Sequence, residues 1–183
     1  MTCSLVVNSK SGNTRMVSGA IKRALQAAGV EFVHAAALSD DADADQVALE
    51  AQGACAADMV LVGFWCDKGA CTPSVAALLS ALHGKRVFLF GTCGFGASQR
   101  YYQQIIDRVT SNLADDAELV GWAMCQGKMG PAVKQRYEAM LEQDPDNARA
   151  KLLLDNWAAA KDHPTKDDLD HMAAAAKTAV LGE

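Results

Sequence analysis

Aromatic side chains are scarce in this sequence: five Phe, three Tyr and three Trp stand among 183 residues. Each one exposed at a loop is therefore worth locating. An excess of basic residues is also missing, since 17 Lys and Arg face 22 Asp and Glu, for a net charge of −5 and a pI near 5.3. That balance leaves no footprint for nucleic acid and would be repelled by an anionic membrane surface. It suits a partner protein with a basic face. No apolar run approaches membrane-spanning length, and the chain enters a short apolar strand without the charged start and long apolar stretch of a signal peptide. The expectation is a cytoplasmic protein. Metal-site spacing is lacking too: four residues separate Cys66 from Cys71, and no second pair at zinc-finger spacing follows. The six cysteines are spread through a chain able to form its own core, so reduced thiols are expected rather than a disulfide scaffold.

What is present is the composition of a globular protein, half hydrophobic and about a fifth charged, in a length that fits one domain over residues 1–183. Apolar runs rich in Val, Leu and Phe recur at 3–7, 30–34, 59–64, 86–90 and 118–124, and they read as five strands. Helical patterns lie between them. Val17, Ala20, Ile21, Ala24 and Ala28 form one apolar face, with Gly29 at the stop. An Ala-rich crossover spans about 45–57. The third helix takes Thr72 as N-cap and Pro73 as first residue, and the fourth starts near Ser98 with Tyr102, Ile105, Ile106 and Val109 inward. Strands apolar enough to be covered on both faces, alternating strictly with helices, predict a doubly wound α/β fold on a parallel sheet. Ligands of such sheets bind beyond the carboxyl ends of the strands.

The loop after the first strand is Ser9-Lys10-Ser11-Gly12-Asn13-Thr14, running directly into a helix. Hydroxyls donate hydrogen bonds, Gly12 allows close backbone approach, and the helix start presents free N–H groups, which together suit a phosphate. The loop is not a Walker sequence and carries no dinucleotide Gly-x-Gly-x-x-Gly. It resembles the phosphate loop of the flavodoxin family, a hydroxyl residue, any residue, a hydroxyl residue, Gly, Asn, Thr, and Ser9, Ser11, Gly12, Asn13 and Thr14 match it position by position. The resemblance implies FMN as cofactor and a five-stranded sheet in the order 2-1-3-4-5.

Two further loops are placed by it. After the third strand come Phe64-Trp65-Cys66-Asp67-Lys68-Gly69, where flavodoxins cover the flavin, often with an aromatic. Trp65 is the stacking candidate. Gly69 tolerates the positive φ that lets a backbone carbonyl turn to the reduced ring. After the fourth strand, Thr92-Cys93-Gly94-Phe95-Gly96 is positioned to hold the pyrimidine edge. Family members commonly have a Tyr in this loop, whereas here the candidates for a second stacking partner are Phe95, Tyr101 and Tyr102. Lys68 and Lys128 read as surface charges that would stabilise an anionic reduced flavin if they point inward. The Asp run at 40–45 reads as a solvated loop. A catalytic thiol is not expected, because no His neighbours any Cys in sequence.

Past the fifth strand, a Cys-Gln-Gly-Lys turn at 125–128 leads into extra helical patterns near 132–142 and 147–160, before a last helix near Pro164. A branch of flavodoxin-like proteins shares that turn, the Trp-x-Asp-Lys-Gly loop and an inserted segment. Chain geometry places the insert, 129–161, beside the ligand edge, because the fifth strand ends there and the final helix must start there. Leu152, Leu153, Leu154 and Trp157 give it an apolar face. The function implied is an FMN-binding redox protein carrying electrons between protein partners. The alternatives are an FMN-dependent reductase of a small acceptor such as a quinone or tetrapyrrole, and a binding module of the same fold without tight FMN binding.

Overall fold

The computed structural model describes residues 1–96 and 98–182. Five strands, β1 (Thr2–Asn8), β2 (Glu31–Leu38), β3 (Met59–Trp65), β4 (Arg86–Cys93) and β5 (Glu118–Gln126), pair in parallel in the order β2-β1-β3-β4-β5. Between and after them run α1 (Asn13–Ala27), α2 (Ala44–Ala54), α3 (Pro73–Ser80), α4 (Gln99–Thr110), α5 (Pro131–Gln143), α6 (Ala148–Ala160) and α7 (Lys166–Leu181). The expected doubly wound α/β sheet in flavodoxin-like order is the fold found.

Alternate strand residues face opposite sides, and this divides the core in two. On one face Leu5, Leu61, Phe88 and Phe90 pack with Val17, Ile21 and Leu25 of α1 and Met172 and Ala176 of α7. On the other, Val62, Phe64, Val87 and Leu89 pack with α2, α3 and α4 through Val47, Leu78, Leu79, Ile105 and Ile106. Burial on both faces explains the uninterrupted apolar runs of β3 and β4. None of the described helices is long and apolar enough to cross a membrane.

The sequence pattern ends two strands early. β2 continues through Ala35, Ala36 and Ala37, residues of low strand propensity, because each pairs with β1. β4 continues through Gly91, Thr92 and Cys93, which read as loop in sequence but stay in register beside Phe64 and Trp65. A side chain on Gly91 would come within 2.8 Å of the Phe64 ring. A similar approach occurs at Gly63, where a Cβ would lie 2.4 Å from the fully buried Phe90 ring. Gly63→Ala is therefore expected to cost about 1–3 kcal/mol by overpacking. Equilibrium urea unfolding would read this as a lower midpoint at unchanged slope; an unchanged midpoint would mean the sheet accommodates the methyl.

Thr72 stands at the N-cap of α3 as expected, but its hydroxyl makes no cap bond. It donates instead to Asn8 Oδ1 at 3.4 Å and lies 3.1 Å from Ser74 Oγ. α7 is started by a reciprocal capping box between Thr165 and Asp168, with His163 Nδ1 2.6 Å from the same Asp168 carboxylate. Between β5 and α7, α5 and α6 pack on one another, burying Tyr137, Ala150 and Ala160. Their expected apolar face is only partly covered, since Leu152 is exposed and Leu153, Leu154 and Trp157 are half-buried.

Candidate functional site

In this sheet the strand order reverses at β1 and β3, where the chain first winds outward to β2 and then back across to β3. A cleft of about 680 Å³ opens at the carboxyl ends of the strands, within the size range of clefts that enclose a small ligand or cofactor. It is walled by the first loop through Lys10, Ser11 and Asn13, and by the second through Trp65, Cys66, Lys68 and Gly69. Thr92, Cys93, Gly94 and Phe95 supply the third wall. Three loops far apart in sequence thus meet at one site. Ser9, Gly12, Thr14 and Gly96 are not among its lining residues, and Ser9 lines a neighbouring pocket with Arg15 and Asp40. Phe64 does not approach it, being fully buried in the core under α3 and α4. Strand alternation explains this: Trp65 and Phe64 are neighbours and must face opposite ways.

The first loop is built around its backbone. Gly12 is the N-cap of α1 at φ +90° and has no side chain to cap it. Ser9 Oγ accepts from Arg15 N–H at 3.2 Å, and Ser11 Oγ accepts from Asn13 Nδ2 at 3.0 Å. Asn13 Nδ2 also donates to the Lys128 carbonyl at 2.9 Å, tying the turn after β5 to this loop. Thr14 is fully buried, its hydroxyl 2.9 Å from that of Thr92. Asn13 Oδ1 is buried without a partner. A helix start with glycine at its N-cap, where Ser9 takes only the Arg15 N–H, suits a phosphate, and a buried carbonyl lacking a donor suits a hydroxyl-bearing chain attached to it. FMN has both parts, so the residues present fit it.

In the second loop, Lys68 at φ +50° and Gly69 at φ +87° form a tight two-residue turn closed by reciprocal bonds between Asp67 and Ala70. The Gly69 carbonyl accepts from Arg108 Nη1 at 3.2 Å. Trp65 is half-buried and anchored, its indole N–H donating to Asp40 Oδ1 at 2.8 Å while Lys10 Nζ lies 4.8 Å from the ring centroid. Asp40 also accepts from Asn8 Nδ2 at 2.8 Å. It belongs to the site's frame and not to a merely solvated acidic run.

Of the three candidates for a second aromatic, Tyr102 is buried in the core. Phe95 and Tyr101 face the cleft, meeting edge to face with centroids 6.1 Å apart. Ala97, in the same loop, lies outside the described residues. The rest of the loop is held from the insert. Asn156 of α6 accepts from Gly96 N–H at 3.0 Å and donates to the Gly94 carbonyl at 2.9 Å, and Gln126 Nε2 reaches Asn156 Oδ1 at 3.3 Å. Nothing in the sequence pointed to Asn156, a polar residue mid-helix. Arg108 was open to inference, since it stands seven residues after Tyr101 on one face of α4.

Cys66 and Cys93 both line the cleft, and Cys93 Sγ donates to the Phe95 carbonyl at 3.0 Å. The neighbouring Cys93 thiol, with burial added, pushes the Cys66 thiol well above its ordinary pKa. The Cys66 thiol in turn holds Cys93 below its own. Sequence separation hid this pair; strand register, with Cys66 N–H bonded to the Thr92 carbonyl, creates it.

A parallel sheet in the order 2-1-3-4-5, with a glycine N-cap at the start of α1 and an aromatic cleft at its switch point, defines a flavodoxin-like α/β protein. The chain belongs to the flavodoxin domain family, whose model matches residues 4–177. It is 35% identical to a flavodoxin-like domain-containing protein BilS of Clostridium symbiosum (strain WAL-14163), over 92% of this chain and 90% of the relative. A BilS protein of Clostridioides difficile (strain CD3) is 32% identical over 68% of this chain and 70% of its own. Among solved structures, a short-chain flavodoxin associated with a non-canonical PDU bacterial microcompartment superposes with a TM-score of 0.53 at 14% identity, covering 100% of this chain and 98% of that one. FMN is the cofactor that membership of this family implies.

Proposed function

We propose that the cleft binds FMN and that the protein passes electrons through it to a redox partner. The observation that carries this reading is the start of α1. Gly12 at positive φ starts the helix at the sheet's switch point without an N-cap side chain, Ser9 Oγ taking only the Arg15 N–H, and an aromatic cleft continues from it. In this reading Ser9, Lys10, Ser11, Gly12, Asn13 and Thr14 hold the phosphate. Trp65, Cys66, Lys68 and Gly69 line one side of the ring, and Thr92, Cys93, Gly94, Phe95 and Gly96 lie along its other edge. Bound FMN supplies the capacity to accept and release electrons singly or in pairs; the chain positions it, excludes water and sets the charge around it. Lys68 and Lys128 favour an anionic reduced ring electrostatically. No side chain is needed as acid or base.

A second reading, reduction of a small acceptor, is favoured by one observation: Met129, Val133 and Tyr137 at and within α5 extend the cleft wall beyond what the three loops form. The net acidity of the chain favours a basic-faced partner, whereas the lining of the cleft itself has the opposite sign.

Purified protein is expected to carry flavin absorbance, with FMN released on denaturation, and the apoprotein to rebind FMN with quenching of tryptophan fluorescence. Trp65→Phe should remove most of that quenching while Trp122 and Trp157 remain. A colourless protein without FMN affinity would support the binding-module alternative. Quenching that survives the substitution in full would move Trp65 away from the ring.

A further inference from the structure

The cleft is cationic in an acidic protein. Lys10, Lys68, Arg108, Lys128 and Arg136 all line it, and no Asp or Glu stands among its described lining residues, although the chain as a whole carries a net charge of −5. Lys10 is accounted for by Asp40, 3.8 Å away, and by the Trp65 ring. Among the described residues the other four have no carboxylate within salt-bridge distance, the Gly69 carbonyl taking one N–H of Arg108 without neutralising it. They come from separate places in the fold: the turn after β3, the last turn of α4, the turn after β5, and the middle of α5. Converging like charges on a concave surface repel one another, and an anion relieves that repulsion. The FMN phosphate has its own backbone and hydroxyl donors at the α1 start, and ring reduction adds one negative charge at most. Four cations exceed that need.

The same lining holds Trp65, Phe95, Tyr101 and Tyr137, so the scarce aromatics gather where the cations do. Flat apolar walls with a guanidinium rim select a flat molecule bearing an acid group, since Arg pairs with carboxylates through two parallel hydrogen bonds. We infer that the mouth of the cleft, between α4 and α5, is a subsite for a planar, carboxylate-bearing small molecule that lies against the flavin, with Arg108 and Arg136 as its carboxylate anchors. The inference rests on the FMN reading of the cleft and gives the small acceptor of that reading a chemical class.

The test uses FMN-loaded protein and two probes matched in shape, anthraquinone-2-carboxylate and 2-(hydroxymethyl)anthraquinone, in equilibrium dialysis at low salt. The carboxylate is expected to bind about tenfold more tightly, as a charge-assisted hydrogen bond to a rim arginine gives. Salt at about 0.5 M should shrink that preference, since the rim is exposed to screening. Arg136→Gln should reduce it to about threefold or less, and Arg136→Lys should restore part of it, being a charge without the planar fork. A separate FMN titration of each variant keeps the two readings apart. Equal binding of the two probes by wild-type protein overturns the subsite. So does a parallel loss of FMN affinity in Arg136→Gln, which would assign the cation to the flavin. Absence of FMN binding by the wild-type protein would refute the reading beneath it, and would be seen in the titration before any probe is added.

Discussion

Gly12→Val is expected to weaken FMN binding about 30-fold while changing riboflavin binding by no more than about threefold. A Cβ at Gly12 meets nothing within 4 Å, so the effect is not a clash. It comes from φ +90°, a left-handed conformation that costs a β-branched residue about 2 kcal/mol, or about 30-fold in an equilibrium. The free protein escapes the strain by moving the loop out of its phosphate-binding shape, and FMN must then reverse that movement. Riboflavin has no phosphate and loses little. Thr14→Val should act in the same direction, because it leaves the buried Thr92 hydroxyl without its partner beneath the loop. Titrations of apoprotein with both ligands check this. Equal losses for FMN and riboflavin would remove the phosphate from this loop.

Asn156→Leu should produce the other large loss, and from outside the three loops that wall the cleft. Its side chain makes good bonds to Gly96 N–H and the Gly94 carbonyl, and a longer one with Gln126. At about 1 kcal/mol each, removal takes about 2–3 kcal/mol from the order of the glycine loop. FMN affinity should fall about tenfold or more, with a smaller decrease in thermal stability, because the parts of the core that pack the sheet against α1, α4 and α7 are untouched. Asn156→Asp keeps the acceptor for Gly96 N–H and should recover part of the affinity. Hydrogen exchange at the amides of Gly94–Gly96 gives an independent reading: faster exchange in the Leu variant is expected. Unchanged exchange and unchanged FMN affinity would show that the loop holds itself.

The insert is thereby less separable than its sequence suggests. Read along the chain, 129–161 is an addition to a fold that could close without it. In space, Asn156 fastens α6 to the glycine loop, and Met129 packs so closely on Gly94 that a Cβ there would come within 2.6 Å of it. The turn after β5 is also bonded through the Lys128 carbonyl to Asn13. Local pattern cannot reveal such contacts, because each joins residues separated by tens of positions and neither partner is unusual in its own neighbourhood.

The legible parts of the site were those whose chemistry is carried by adjacent residues. Ser9 to Thr14 form one loop and Lys68-Gly69 one turn, and Gly12 and Gly69 record the positive φ angles each requires. Phe64 read as a cofactor contact because it adjoins Trp65 on the page; period-two alternation turns it into the core instead. Asp40 read as solvated because it begins an acidic run, yet it orients the Trp65 indole and the Asn8 amide. Net charge was similarly misleading about the cleft, since a sum over the whole chain says nothing about which side chains converge.

By itself the sequence determined the strand and helix order, the parallel sheet and the loop from Ser9 to Thr14 that opens α1. Those follow from hydrophobic period and from backbone preferences, which act over a few residues at a time. Tertiary structure alone decided that Cys66 and Cys93 meet at one cleft, that Asn156 holds the glycine loop, and that four cations with no ion-pair partner among the described residues face that cleft. The physical reason is that these depend on strand register and helix docking, which are set by burial of the whole core and leave no trace in the spacing of the residues they bring together.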